Sequence, residues 1–188
     1  MSNGNARSLN GETRTTEASS RGDAAEFDAV FLEHWQPICR MLLRLVGDHA
    51  EAEDLALEAF WQFYRRPPSN DRAQNIGGWL YRVATNLGLN ALRARKRRTR
   101  HEEEAAQQEL DKSTVDAFDR VAAEEEQRRV REVLATMETR QAQLLLLRHS
   151  GMPYAQVASA LGVSVHSIGT LLARAEREFE KRYREKGE

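Results

Sequence analysis

The stretch from residue 153 to 178, PYAQVASALGVSVHSIGTLLARAERE, limits the possible folds more than any other part of the chain. Three apolar residues recur in it at three- and four-residue intervals and predict one face of a short helix: Val157, Ala158 and Leu161. Gly162 predicts the end of that helix, since glycine adopts the left-handed cap conformation at little cost. Ser164 is a suitable N-cap for a second helix. The buried stripe of that helix is expected at Ile168, Leu171, Leu172 and Ala175. This spacing predicts a helix-turn-helix.

A helix-turn-helix can place the first turns of its second helix against the bases in a DNA major groove. Two core helices joined by a tight turn would give the same pattern, so DNA binding is a hypothesis. The candidate contacts with bases and phosphates are His166, Ser167, Thr170 and Arg174. The alternative is that these four residues are simply exposed helix surface without a ligand. Arg174 is the only permanent cation of this helix before Arg177, which predicts weak contacts or an unusual target.

Apolar residues at helical spacing also predict three helices in the first half of the chain. The first contains Pro37, which should kink the helix or split it in two. The second begins at Asp48, which forms a start like a capping box with Glu51. Asn75 can cap the third, which continues to about Arg98.

The third helix ends in a dense run of cations: Arg93, Arg95, Lys96, Arg97, Arg98 and Arg100. Aromatic and polar residues precede the run: Trp79, Tyr81, Arg82 and Asn86. Aromatic rings for stacking, followed by cations for phosphates, are typical of single-stranded nucleic acid binding. Cations at a helix C-terminus also complement the helix dipole. Six of them exceed what the dipole explains, although Trp79 fits a core position equally well.

No alternation typical of strands is present, so we predict an all-α chain of two small domains joined by a flexible linker. In the second half, Thr139 is expected to cap a helix that contains four consecutive leucines. The predicted divisions are a disordered tail at 1–23, a helical domain at 24–100, a linker at 101–120 and a helix-turn-helix domain at 121–188.

Composition and motifs exclude several classes of function. Cys39 is the only cysteine, which rules out an internal disulfide and suits a reducing cytoplasm. No apolar run approaches a membrane span, and no signal-peptide core is present. The five histidines lack metal-ligand spacing, and no catalytic motif is present, so we expect no enzyme activity, metal, cofactor or small-molecule substrate. A net charge of −1 indicates that a DNA-binding role would need help from a partner.

Taken together, the two halves resemble a bacterial RNA polymerase sigma factor of the extracytoplasmic-function (ECF) type. The first half resembles sigma region 2 in the segments AEDL at 52–55, EAF at 58–60 and WLYRVATNL at 79–87. The second half resembles sigma region 4 in GMPYAQVA at 151–158 and LGVS at 161–164. Both resemblances in this order, in so short a chain, are more specific than either alone.

The resemblance implies a transcription initiation factor that binds core RNA polymerase and recognises the −10 and −35 promoter elements. It implies polymerase contacts at Asp54 and Glu58, and −35 contacts at the helix-turn-helix residues named above. For the −10 strand and melting it implies Asn70, Asn75, Trp79, Tyr81, Arg82, Asn86, Arg93, Arg95, Lys96, Arg97 and Arg98. An inhibitory anti-sigma protein is a further partner expected from the family.

Three departures from the family pattern keep alternatives open. Leu57 stands where a glutamine is usual, Thr85 replaces a common arginine, and Asn90 replaces a common aspartate. The first alternative is a polymerase-independent helix-turn-helix regulator that dimerises on a palindrome. The second is a module that binds only a regulator and has lost DNA contact.

Overall fold

The computed structural model describes the backbone of residues 12–68, 75–106 and 118–186, and the side chains of 25–68, 75–99 and 124–186. Its helices are α1 (Glu12–Val46), α2 (His49–Arg65), α3 (Ile76–Ala106), α4 (Phe118–Thr136), α5 (Thr139–His149), α6 (Tyr154–Leu161), a 3₁₀ turn at Val165–Ser167, and α7 (Ile168–Glu185). Every regular element in these ranges is helical, which confirms the all-α prediction.

The first helix differs from the expectation in two respects. It begins at Glu12, inside the segment predicted as a disordered tail, and residues 1–11 lie outside the described residues. It also continues through Pro37 as one element, so of the two predicted outcomes, a kink or a split, the split does not occur. Proline in a helix interior costs about 3 kcal/mol or more. Burial on both sides offsets that cost, because Val30 before the proline and Ile38 after it lie in the same core.

The helix starts of the first half agree with the sequence reasoning. Asp48 is the N-cap of α2, and its carboxylate accepts a hydrogen bond from the Glu51 N–H at 2.8 Å. The Asn75 side-chain oxygen accepts from the Gly78 N–H at 2.8 Å, which confirms that Asn75 caps α3. Helix α3 extends to Ala106, beyond the expected end near Arg98.

An apolar core holds α1, α2 and α3 together. The buried rings of Phe60 and Phe63 in α2 contact the partly buried rings of Phe27, Phe31 and Trp35 in α1. Leu80 and Ala84 of α3 are fully buried against this group. We call these three helices the N-terminal lobe and helices α4 to α7 the C-terminal lobe.

The helix-turn-helix of the C-terminal lobe is present as predicted, with two differences at helix starts. Gly162 ends α6 with a φ of 64°, which confirms its cap role. Thr139 is the first residue of α5 and not its cap, because the Glu138 carboxylate accepts from the N–H groups of Arg140 and Gln141. Ser164 precedes the 3₁₀ turn, and α7 follows that turn.

The two lobes pack directly on each other, with α3 in contact with α4, α5 and α6. Leu45, Leu89 and Leu92 of the N-terminal lobe share one apolar cluster with Val133, Leu134 and Met137 of the C-terminal lobe. Helix α3 is therefore enclosed by α1 and α2 on one side and by the C-terminal lobe on another. This position determines which of its polar residues are accessible.

Candidate nucleic-acid interface

The second helix of the helix-turn-helix presents its predicted contact residues to solvent. Three residues of α7 are buried beneath them and fix the orientation of the helix: Ile168, Leu172 and Ala175. His166, Ser167, Thr170 and Arg174 are all exposed. Leu171, expected in the buried stripe, is only half-buried. The 3₁₀ turn and the first two turns of α7 thus form an open polar surface with Arg174 at one end.

The polar residues of α3 have a different environment. Asn86 is exposed, but its side-chain oxygen accepts a hydrogen bond from the Gln143 side chain of α5 at 3.0 Å. The Asn75 side-chain N–H donates to the Gln156 carbonyl of α6 at 3.0 Å. The backbone carbonyl of Arg82 accepts from Gln143 at 3.3 Å. These three α3 positions therefore contact the C-terminal lobe.

Aromatic residues of α3 are less available for stacking than the sequence suggested. Tyr81 is 9% exposed, and this burial raises the pKa of its hydroxyl despite the opposing effect of Arg40. Trp79 is half-buried and packs beside Phe63 with ring centroids 6.1 Å apart. Both rings belong to the core in this conformation. Asn70 lies outside the described residues.

The basic run divides into two parts. Arg93 donates three hydrogen bonds across the lobe boundary, to the carbonyls of Ala135 (3.2 Å) and Met137 (3.0 Å) and to the Thr139 hydroxyl (2.9 Å). Arg95 donates to the Val46 carbonyl at 2.8 Å and pairs with Glu51.

The later cations of the run lie at the surface. Lys96, Arg97 and Arg98 are exposed, and the side chain of Arg100 is not described. Arg93 and Arg95 already bind protein groups in this conformation, and the phosphate contacts of the run stay a prediction. Arg95 is exposed as well, although its guanidinium is paired with Glu51.

The outer face of α2 carries the two acidic residues predicted to contact polymerase. Asp54 and Glu58 are exposed, and Glu58 accepts a hydrogen bond from the Gln62 side chain at 2.9 Å. Two large apolar side chains extend the same helical face and are also exposed, Leu57 at 52% and Trp61 at 53%. Spacings of three and four residues place all four side chains on one stripe.

Sequence reasoning missed two features of this region. Trp61 was not assigned to any surface, although its spacing from Asp54 could have placed it on the acidic stripe. Gln143 also went unnoticed, and it is 6% exposed and donates to three acceptors on α3. The available signal was a polar residue at position 143, between Ala142 and the run of four leucines that begins at Leu144.

Two further features bear on reactivity, the lone cysteine and the possible metal-ligand groups of the described residues. Cys39 is half-buried, and burial, followed by the charge of Glu53, raises the pKa of its thiol. In the described ranges no group of three or more His, Cys, Asp or Glu side chains could hold a metal ion. No single described helix is long and apolar enough to cross a membrane. Helix α6 and the segment Val165–Glu185 reach the necessary length and composition only when they are taken together, and the chain bends by 106° between them.

Comparison with known protein families identifies both halves of the chain. Residues 30–98 match Sigma-70 region 2, and residues 127–179 match Sigma-70, region 4. The first match contains α2, the start of α3 and the exposed cations. The second contains the helix-turn-helix.

Individual relatives agree with these matches. The RNA polymerase sigma-H factor of Pseudomonas aeruginosa is 26% identical over 178 residues, which cover 90% of this chain and 92% of the relative. The ECF RNA polymerase sigma factor SigE of Mycolicibacterium smegmatis is 27% identical, and the match covers 88% of this chain but only 64% of that protein. The fold is similar to that of CnrH in complex with the cytosolic domain of CnrY, with a TM-score of 0.54, 16% identity, and coverage of 88% of this chain and 92% of that one.

Proposed function

Because the chain belongs to the sigma-70 family of RNA polymerase sigma factors, in the ECF group, we propose that it binds core RNA polymerase and directs it to promoters. The observation that carries this proposal is the presence of both matched regions in one short chain, in the order region 2 then region 4. A self-sufficient regulator would need the second region but not the first.

The α2 stripe is the proposed polymerase contact. Asp54 and Glu58 provide charge, and Leu57 and Trp61 provide exposed apolar area between and beside them. Tryptophan is enriched among the residues that dominate binding energy in protein interfaces. Where a glutamine is usual in the family, Leu57 makes this contact more apolar.

The proposed promoter contacts lie at two places. The −35 element meets His166, Ser167, Thr170 and Arg174 at the start of α7, where nothing in the described chain covers them. The −10 strand is assigned to Asn75, Trp79, Arg82 and Asn86 together with the basic run. Tyr81 stays in this assignment from the sequence although its ring is buried in this conformation, and Asn70 is retained from the sequence alone. The net charge of −1 is consistent with polymerase supplying much of the DNA affinity.

The proposal includes no catalytic residue, and the chain acts where the polymerase is, in the cytoplasm. It assigns 24–100 to polymerase and −10 binding, 101–120 to a linker, and 121–188 to −35 binding. An inhibitory anti-sigma protein is the further partner proposed from the family resemblance.

Reconstitution with the cognate core polymerase tests the proposal. Core enzyme that has been depleted of other sigma factors should retain the chain at micromolar concentration and gain promoter-dependent run-off transcription. A chain that fails to bind core, yet forms a dimer and binds duplex DNA tightly, would instead be a polymerase-independent regulator.

A further inference from the structure

The start of α7 offers DNA an unusual set of side chains. Residues 163–173, which include the 3₁₀ turn and the beginning of α7, contain no Arg, Lys, Asn, Gln, Asp or Glu. Those six residue types make the usual side-chain contacts that identify guanine, adenine and cytosine in the major groove. This segment therefore lacks the usual means of identifying any of these three bases.

The polar groups that remain on this surface discriminate little between bases. His166, Ser167 and Thr170 are exposed. A hydroxyl group both donates and accepts, so the hydroxyls of Ser167 and Thr170 can bond to any base. His166 offers one ring nitrogen to a base edge, without the two parallel donors of an arginine. These groups can position the helix on DNA, but they cannot account for a sequence preference.

Exposed apolar groups are the remaining means of base recognition. Thr170 and Ala173 are exposed, and Thr170 faces away from the core because it lies between the buried Ile168 and Leu172. Residues three apart on a helix have Cβ atoms about 5–6 Å apart, so Thr170 and Ala173 are neighbours that span one to two base pairs of about 3.4 Å each. In the major groove, the apolar partner of such side chains is the 5-methyl group of thymine.

Gly169 allows these short side chains to reach the bases. It is exposed, and no described atom lies within 4 Å of a Cβ added there. A glycine lets the backbone approach a ligand closely, and the methyl groups of Thr170 and Ala173 contact a base edge only if the helix lies deep in the groove. Arg174 follows directly and provides the phosphate contact already proposed for it.

We infer that the start of α7 selects a −35 element with thymine at the base pairs that Thr170 and Ala173 face, recognised through the methyl groups of these two residues and not through paired hydrogen bonds to guanine. This inference rests on the proposed function and names the sequence class that the same surface binds. Each methyl contact should contribute about fourfold in affinity, as expected for one buried CH₂ group.

Replacement of thymine by uracil tests the inference, because it deletes the 5-methyl group and keeps the base pairing. The full chain is first bound to core polymerase, and the holoenzyme then selects fragments from the genome of its own bacterium. The upstream element that the retained fragments share is resynthesised with uracil in place of thymine. We expect an element rich in A·T pairs and about fourfold weaker holoenzyme binding for each contacted methyl group that is lost. The same number of uracils in the spacer between the two promoter elements is the DNA control and should leave binding unchanged.

Two substitutions at residue 170 assign the contact to its side chain. Thr170→Ser removes the methyl group and keeps the hydroxyl, so it should lower the ratio of thymine to uracil affinity by about fourfold. Thr170→Val keeps a methyl group at that place and removes the hydroxyl, so it is the matched control and should retain the wild-type ratio. Thr170 is exposed, so both variants should fold. Ala173→Ser, which removes the other methyl group, is an independent variant with the same expected result as Thr170→Ser.

Equal holoenzyme binding to the thymine and uracil duplexes would overturn the inference, as would an unchanged ratio in both Thr170→Ser and Ala173→Ser. Retention of the wild-type chain on core polymerase is measured before the selection. Loss of that retention would overturn the proposed function and the inference with it, whereas retention without discrimination between thymine and uracil would overturn the inference alone.

Discussion

Helices α3 and α7 were both predicted to contact promoter DNA, yet their candidate residues differ in how accessible they are in the structure. The candidate residues at the start of α7 are exposed, whereas Asn75, Asn86 and Arg93 on α3 are hydrogen-bonded to the other lobe. The cause is position, since α3 lies between the two lobes and α7 lies at the edge of one. A polar residue on a central helix is therefore a weaker indicator of a ligand site than the same residue on a peripheral one.

The largest expected effect comes from charge reversal at the accessible end of α3. Arg97→Glu with Arg98→Glu should reduce promoter-dependent transcription about 100-fold, since each lost phosphate contact weakens binding and flattens its salt dependence. Both side chains are exposed, so the free energy of unfolding should change by no more than about 0.5 kcal/mol. Run-off transcription and thermal unfolding measure the two quantities. Unchanged transcription would mean that the accessible part of the run does not meet DNA.

Arg95 is the matched contrast within the same run. Its guanidinium bonds to the Val46 carbonyl and to Glu51, so Arg95→Glu removes structural contacts that have no counterpart at Arg97 and Arg98 in the described part of the chain. A reversal at residue 95 would confuse lost stability with lost DNA contact, and it is best excluded from the charge-reversal variant.

The exposed stripe of α2 offers the next largest effect. Trp61→Ala should weaken binding to core polymerase about 30-fold, which corresponds to about 2 kcal/mol for an interface aromatic. The fold should be retained because more than half of the Trp61 side chain is exposed. Equilibrium binding to labelled core enzyme measures the change. Leu32→Ala, at an apolar residue of α1 that is 80% exposed, serves as the control and should have a smaller effect.

Local chemistry accounts for the parts of the fold that the sequence predicted well. Asp48, Asn75 and Gly162 cap helices because each cap depends on its own side chain or backbone and on residues within four positions. The contacts of Gln143 and Arg93 join residues 42 to 61 positions apart, and periodicity carries no information about such pairs. The buried stripe of α7 predicted that the residues on its opposite side are exposed. No local pattern predicted that polar residues of α3 are hydrogen-bonded to the C-terminal lobe.

Arg174→Ala tests whether the exposed residues of α7 contact DNA. As the only permanent cation in the first turns of that helix, Arg174 should contribute a phosphate contact, and its loss should reduce the salt slope of duplex binding by about 0.9. Holoenzyme binding to a promoter duplex at several salt concentrations measures that slope. Arg177→Ala, one turn further along the exposed side, is the control. An unchanged slope would show that Arg174 does not reach DNA.

The smallest effect concerns the stability of α7 itself. Gly169 lies in the first turn of α7, and nothing lies within 4 Å of an added Cβ, so Gly169→Ala should stabilise the protein by about 0.5–1 kcal/mol. Gly162 also has open space around it, but its φ of +64° is strained for alanine, so Gly162→Ala should destabilise by about 1 kcal/mol. Chemical denaturation of both variants measures the difference. The surrounding space is open at both positions, so opposite signs of the change in the free energy of unfolding would identify backbone conformation as the cause. Changes of the same sign would contradict the left-handed conformation of Gly162.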